Sequence, residues 1–251
     1  KSGASLAQKG RAPKSDLETF YPTQVLSTGR DIINLWVSRM IFSGLEFVGE
    51  IPFSDVYIHP TVLAKDGRRM SKSLGTGTDP LDLVEKYGAD ATRFGLVWQN
   101  MGVQDVHFSE EHLLAGKKFA NKLWNISRFV LRQIGSSKLQ IPNPKQTLEK
   151  SEKEILEKLE ATRKSVSENV DSFQFGQALH TLYEFTWHEF ADKYVEHAKK
   201  TDAQETREVL AFTLVAVLKL LHPFMPFVTE EIWASVPLKG KKLLMVEQWP
   251  S

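Results

Sequence analysis

Gln24-Val25-Leu26-Ser27-Thr28 is a short, largely apolar run that passes through Gly29-Arg30-Asp31 into Ile32 to Leu45, where Trp36 and Met40 recur four residues apart. Apolar residues at that spacing predict a helix, so the stretch reads as strand, loop and helix. Downstream, Val56-Tyr57-Ile58-His59 predicts a second strand. It leads through Thr61 to Ala64 and a Lys65-Asp66-Gly67 turn into a polar loop, Arg68 to Asp79. Pro80 then starts a helix with Asp79 as its cap: proline at the first helical position sacrifices no bond, and an aspartate before it accepts from free N–H groups.

Beyond about residue 110 every predicted element is a helix. Leu113 to Ile134, Ser151 to Glu168, Phe173 to Lys199 and Ala203 to Leu221 carry apolar residues at three- and four-residue spacing, punctuated by Pro142, Pro144, Pro223 and Pro226. The expected fold is therefore an α/β partial nucleotide-binding (Rossmann-like) segment followed by an all-α helix-bundle domain. Residues 1–20, rich in Gly, Ser, Lys and Pro, are expected as a flexible lead-in, 21–112 as the α/β part and 113–251 as the helical part.

With 41% hydrophobic and 25% charged residues the chain can bury a core, and no stretch reaches the roughly 18 apolar residues of a membrane span. A cytoplasmic location and no membrane partner are the default expectations. The absence of cysteine excludes disulfides and thiol catalysis, and seven scattered histidines give no metal-ligand spacing, so no metal site is expected. His188, His197 and His222 read as structural. Lysine plus arginine (32) nearly cancels aspartate plus glutamate (31), so a nucleic-acid partner must be argued from local clustering.

Arg69-Met70-Ser71-Lys72-Ser73-Leu74-Gly75, preceded by Asp66-Gly67 and followed by Asp79-Pro80-Leu81, is the most specific local feature. A bare Lys/Ser/Gly stretch reads equally as a solvated loop, and Gly29-Arg30-Asp31 alone as a turn with a helix cap. Together they resemble the KMSKS and GxD segments of class I aminoacyl-tRNA synthetases, with arginine in place of the first lysine. Phe20-Tyr21-Pro22-Thr23, Trp36 to Ile41, Pro52 to Tyr57, Lys86 to Phe94, Phe119 to Asn125 and Leu221 to Trp233 extend the resemblance from Phe20 onward, most closely to the valyl branch. Isoleucyl and leucyl members share several of these segments.

The resemblance implies ATP-dependent attachment of valine to tRNA(Val), with ATP and Mg²⁺ as substrate and no tightly bound cofactor. It makes Lys72 and Arg69 the catalytic cations, and gives ATP contacts to Gly29, Asp31, His59, Met70, Ser71 and Lys72. A lysine suits phosphate oxygens as a compact cation, and glycines and serines leave such a loop free to close. Trp36 and Ile58 would line the amino-acid pocket; without the resemblance both read as ordinary core. Two departures from the family pattern stand out. Pro60 after His59 removes a backbone donor, and Thr76-Gly77-Thr78 loosens the end of the loop.

On a helical wheel Lys117, Asn121, Asn125, Arg128 and Arg132 share one sector, opposite Phe119, Leu123, Ile126 and Val130, with Trp124 at the margin. Leu113 to Arg132 also holds Lys118 and Lys122 and no acidic residue. Aromatic, Asn and Arg groups on one face suit unpaired RNA bases, and in the family this helix lies near the tRNA, so the six polar-face residues including Trp124 are the expected tRNA contacts. The plain alternative is a solvated face with a buried Trp. No His-x-Gly-His occurs in the 251 residues. The expectation is therefore a piece of the enzyme that binds tRNA but does not form an aminoacyl-adenylate by itself. A tRNA-binding module without its own catalysis, and part of an isoleucyl or leucyl enzyme, are the alternatives.

Overall fold

The structure, a computed structural model, describes residues 15–70, 75, 77–102, 104–135, 148–238 and 240–250. The chain divides into two compact units, Lys1–Pro60 and Thr61–Ser251.

In the first unit, helix α1 (Asp16–Phe20) precedes strand β1 (Thr23–Thr28), a 3-10 turn (Arg30–Ile32), a π-helical turn (Ile33–Val37), helix α2 (Ser38–Phe47) and strand β2 (Phe53–Ile58). β1 and β2 are parallel, from Thr23 opposite Phe53 to Thr28 opposite Ile58. A parallel pair requires a crossover, and the helical stretch between the strands provides it. The second strand starts three residues before the expected Val56 because its partner already runs from Thr23. The expected lead-in, 1–20, is helical over its last five residues. Ser15 and Glu18 form a capping box, in which the Ser15 N–H donates to Glu18 Oε2 (2.8 Å) and the Glu18 N–H to Ser15 Oγ (3.2 Å). Local capping thus orders a helix that buries nothing, an outcome composition does not reveal.

The second unit opens with two-residue strand β3 (Val62–Leu63), parallel to β4 (Val106–His107). Between them lie helices α3 (Pro80–Tyr87) and α4 (Ala89–Trp98). Helices α5 (Glu110–Ile134), α6 (Lys150–Asp171) and α7 (Phe175–Glu184) follow; α7 continues through a π-helical stretch, Phe185–Val195, into α8 (Glu196–Ala198). Helices α9 (Gln204–Leu221) and α10 (Pro226–Ser235) complete the bundle. Each long helix predicted from apolar spacing is present, with ends shifted by a few residues. The π stretch was not predicted, because i→i+5 bonding leaves an apolar pattern that still resembles a helix.

The main core joins Phe94 to Phe119, Leu123 and Val130 of α5, Leu179 and Leu182 of α7, Phe190, and Leu210, Leu214 and Val217 of α9. α4 and α5 approach closely through two glycines. A Cβ on Gly95 would come within 2.8 Å of the Leu113 backbone nitrogen, and one on Gly116 within 3.0 Å of the Ala91 carbonyl oxygen. This contact explains why compactness does not divide the chain at 112/113, where strands give way to helices: α4 precedes that point and α5 spans it, yet both help to build the same core.

Candidate functional site

Three of the expected nucleotide residues come together at the carboxyl ends of β1 and β2. The His59 N–H donates to the Thr28 carbonyl (3.0 Å), carrying the ladder one residue past β2. A Cβ built on Gly29 would lie 2.9 Å from Asp31 Oδ1 and 3.8 Å from His59 Cε1. Any side chain at position 29 would therefore displace the Asp31 carboxylate. His59 Nδ1 lies 3.1 Å from the Pro60 carbonyl oxygen; that oxygen can only accept, so this nitrogen carries the proton. Carboxyl ends of parallel strands are where open α/β sheets bind nucleotides.

Trp36 sits in the π-helical turn and is 59% exposed, and Ile58, opposite Thr28 at the end of β2, is 39% exposed. Neither is core, which removes the plain reading of both.

The approach to the loop is a tight hairpin. Leu63 bridges Arg69, the Ala64 N–H donates to the Arg68 carbonyl (2.8 Å), and Arg68 pairs with Asp66 at 2.7 Å. Hydrogen bonds from the Arg68 side chain and backbone hold the Asp66 carboxyl below its ordinary range. Met70, partly buried, packs against the small cluster of Leu83, Phe108 and Leu113. On the far side Asp79 Oδ1 accepts from the Leu81 N–H (2.9 Å) and caps α3, as expected. Arg69 is exposed between these anchors, while Ser71 and Lys72 lie outside the described residues.

All six residues expected to meet tRNA are exposed along α5, and Phe119, Leu123 and Val130 behind them are fully buried. Trp124 is 39% exposed rather than core. Two lysines are partly committed elsewhere. Lys117 Nζ donates to the Lys86 carbonyl at 3.4 Å, and Lys122 pairs with Asp192 while lying 4.3 Å from the Trp187 ring centre. The expected structural histidines have side-chain partners: His222 Nδ1 lies 2.8 Å from Thr229 Oγ1, His197 Nε2 lies 3.1 Å from Ser151 Oγ, and His188 stands between Glu184 and Asp192.

Sequence reasoning missed how two of its family segments join. Asp90 of α4 is 8% exposed and accepts from the Phe227 and Val228 N–H groups (3.1 and 2.6 Å), capping α10. Arg93, one turn on, donates to the Pro223 and Phe224 carbonyls (2.7 and 3.3 Å). The signal was present as Gly88-Ala89-Asp90-Ala91-Thr92-Arg93-Phe94, a buried acid and a base spaced three apart on a helix.

Two family models match the chain: tRNA synthetases class I (I, L, M and V) over residues 2–109, and the anticodon-binding domain of tRNA ligase over 152–251. Curated relatives include the valine–tRNA ligases of Bacillus cereus (46% identity over 244 residues; 94% of this chain and 28% of that one) and Listeria monocytogenes (46% over 242; 94% and 27%). The valine–tRNA ligase of Bacillus subtilis is 44% identical over 246 residues. The chain thus spans little more than a quarter, 28%, of the length of the relatives it matches. Among solved structures it resembles the LeuRS–tRNA–LeuAMS ternary complex of Agrobacterium radiobacter K84 (TM-score 0.77, 25% identity, 92% of this chain and 28% of that one). It shares a fold with Mycobacterium tuberculosis methionyl-tRNA synthetase (TM-score 0.68, 23% identity, 87% and 45%). Residues 2–109 thus match the class I tRNA synthetases and residues 152–251 the anticodon-binding domain of tRNA ligases, and the similarity to valine–tRNA ligases runs through 94% of the chain, which resembles the class I aminoacyl-tRNA synthetases over nearly its whole length.

Proposed function

We propose that the chain is the part of a valine–tRNA ligase that closes over ATP and holds tRNA(Val), in an enzyme attaching valine to that tRNA at the expense of ATP. The observation that carries this reading is the cluster of Gly29, Asp31 and His59 at the ends of two parallel strands. Its extension to valine rests on 46% identity to valine–tRNA ligases.

In this reading the Asp31 carboxylate accepts from the ATP ribose, and Gly29 keeps that carboxylate in place by leaving it room. Met70, held by its apolar cluster, and Ser71 supply further ATP contacts. Lys72, assisted by Arg69, stabilises the charge that develops as the valine carboxylate attacks the α-phosphorus and pyrophosphate departs. Mg²⁺ enters with ATP. Trp36 and Ile58 bound the valine side chain; overlap rejects larger residues, whereas a missing methylene is worth only about 1–3 kcal/mol. Lys117, Asn121, Asn125, Arg128 and Arg132 meet tRNA phosphates and edges, and Trp124 stacks on an unpaired base.

Binding of tRNA transcripts with different anticodons, measured across salt concentrations, tests the tRNA part. The expected result is preference for tRNA(Val), and an Arg128→Ala variant that binds more weakly with a salt slope reduced by about 1. Equal binding of all transcripts with no effect of Arg128→Ala would defeat it.

A further inference from the structure

A cleft of about 640 Å³ at the carboxyl end of α4 lies outside every residue assigned above; Trp98, Met101, Asp105, His107, His112 and His180 are among those lining it. Its wall is an aromatic pile. The Phe94 and Trp98 rings stack at 5.1 Å and 20°, Trp98 and His180 at 3.6 Å and 23°, and Tyr183 meets Trp98 edge-on at 5.0 Å and 74°. His180 Nε2 lies 3.1 Å from the Trp98 carbonyl oxygen. A carbonyl only accepts, so Nε2 carries the proton and the ring is held in orientation. The pile is thus rigid and ends at a partly exposed ring on the cleft wall.

Another flat ring is the group that lengthens such a pile, since aromatic systems prefer offset-stacked partners. The polar groups nearby suit the edge of a heterocycle. Asp105, oriented by accepting the Thr61 N–H at 3.1 Å, is an acceptor suited to an exocyclic amine. His107 and His112 each offer ring nitrogens that donate or accept. A carboxylate in the wall disfavours a bare anion, and among the described residues no His, Asp and Glu cluster is placed to hold a metal ion. The volume falls within the roughly 300–1,000 Å³ of ordinary ligand pockets.

We infer that this cleft is a nucleobase-binding site, taking either a base splayed out of RNA or a free nucleoside. For the RNA source this rests on the tRNA reading above; for the free nucleoside it does not. The base stacks on the His180–Trp98 pile, and its edge is read by Asp105, His107 and His112, which line the same cleft.

The test has two arms on the full chain. In the first, adenosine, guanosine, cytidine and uridine are titrated against ¹⁵N-labelled histidine; in the second, tRNA(Val) affinity is measured across salt for His180→Ala and His180→Phe. A base in the cleft shifts the histidine signals, and the shift is lost in His180→Ala but kept in His180→Phe, which preserves the stack. An RNA base in the cleft also makes His180→Ala bind tRNA about tenfold more weakly at every salt concentration, because stacking releases no counterions. That pattern separates it from Arg128→Ala, which alters the salt slope. Nucleoside shifts with unchanged tRNA affinity assign the cleft to a free nucleoside. If neither arm responds to His180→Ala while the variant melts like the parent protein, the inference fails. Should that variant not fold, Asp105→Asn and His112→Ala carry the same comparison.

Discussion

Asp90 and His222 show how single residues carry weight the linear sequence conceals. A carboxylate with two N–H donors at a helix start satisfies orphan groups and complements the helix dipole. Asp90→Ala removes both bonds from a buried position and should cost about 2 kcal/mol, read as a lower urea midpoint with an unchanged slope. Asp90→Asn keeps one acceptor and should cost less. His222 is governed chiefly by burial, which pushes its pKa down; Arg93 adds to this, and Glu230 and Asp90 oppose it. The Thr229 hydroxyl donates to the Met225 carbonyl (2.8 Å), so His222 Nδ1 is the donor to Thr229. Between the lowered folded value and the ordinary 6.5, the unfolded chain binds more protons, so stability rises with pH across that window and is lost on acidification through it. Urea midpoints between pH 5 and 7.5 should show this fall, and His222→Gln should flatten it.

At the scale of elements, the buried pattern of α5 was fully legible, because a 25-residue helix repeats its period often enough to separate a core face from an exposed one. The cap at Asp79 was legible for a similar reason: aspartate before proline has few other uses. The capping box at Ser15 and Glu18 was equally readable but was outweighed by the composition around it. Which helix α4 would clamp was not readable, since the partners of Asp90 and Arg93 lie 130 or more residues away. The cleft at Trp98 was invisible for the same reason, since His180 stacks on Trp98 from 82 residues away. The π stretch holds Thr186, wholly buried and, among the described residues, with no partner for its hydroxyl oxygen. Replacing an unsatisfied hydroxyl by a methyl of similar shape removes a desolvation cost, so Thr186→Val should leave the melting temperature unchanged or raise it. A fall of several degrees would show that the hydroxyl is engaged in solution.

Across the whole molecule the two compact units differ in how much they bury. Val37 and Phe53 are the buried large hydrophobics between residues 15 and 60, whereas Phe20, Phe42 and Phe47 are 70%, 73% and 84% exposed. The helical unit buries dozens of apolar side chains. Small apolar cores rarely support independent folding. Residues 61–251 produced alone should therefore keep a cooperative thermal transition, and residues 1–60 alone should show none by circular dichroism. The clamp of α4 on α10 also has a consequence in time. Phe227 and Val228 are made 137 and 138 residues after the Asp90 that caps them. At about 5–20 residues per second on the ribosome, roughly 7–28 s separate the two ends of this contact. The helices between them emerge meanwhile, so the Asp90 carboxylate stays without these two donors until α10 has been made, and α10 then latches helices made long before it.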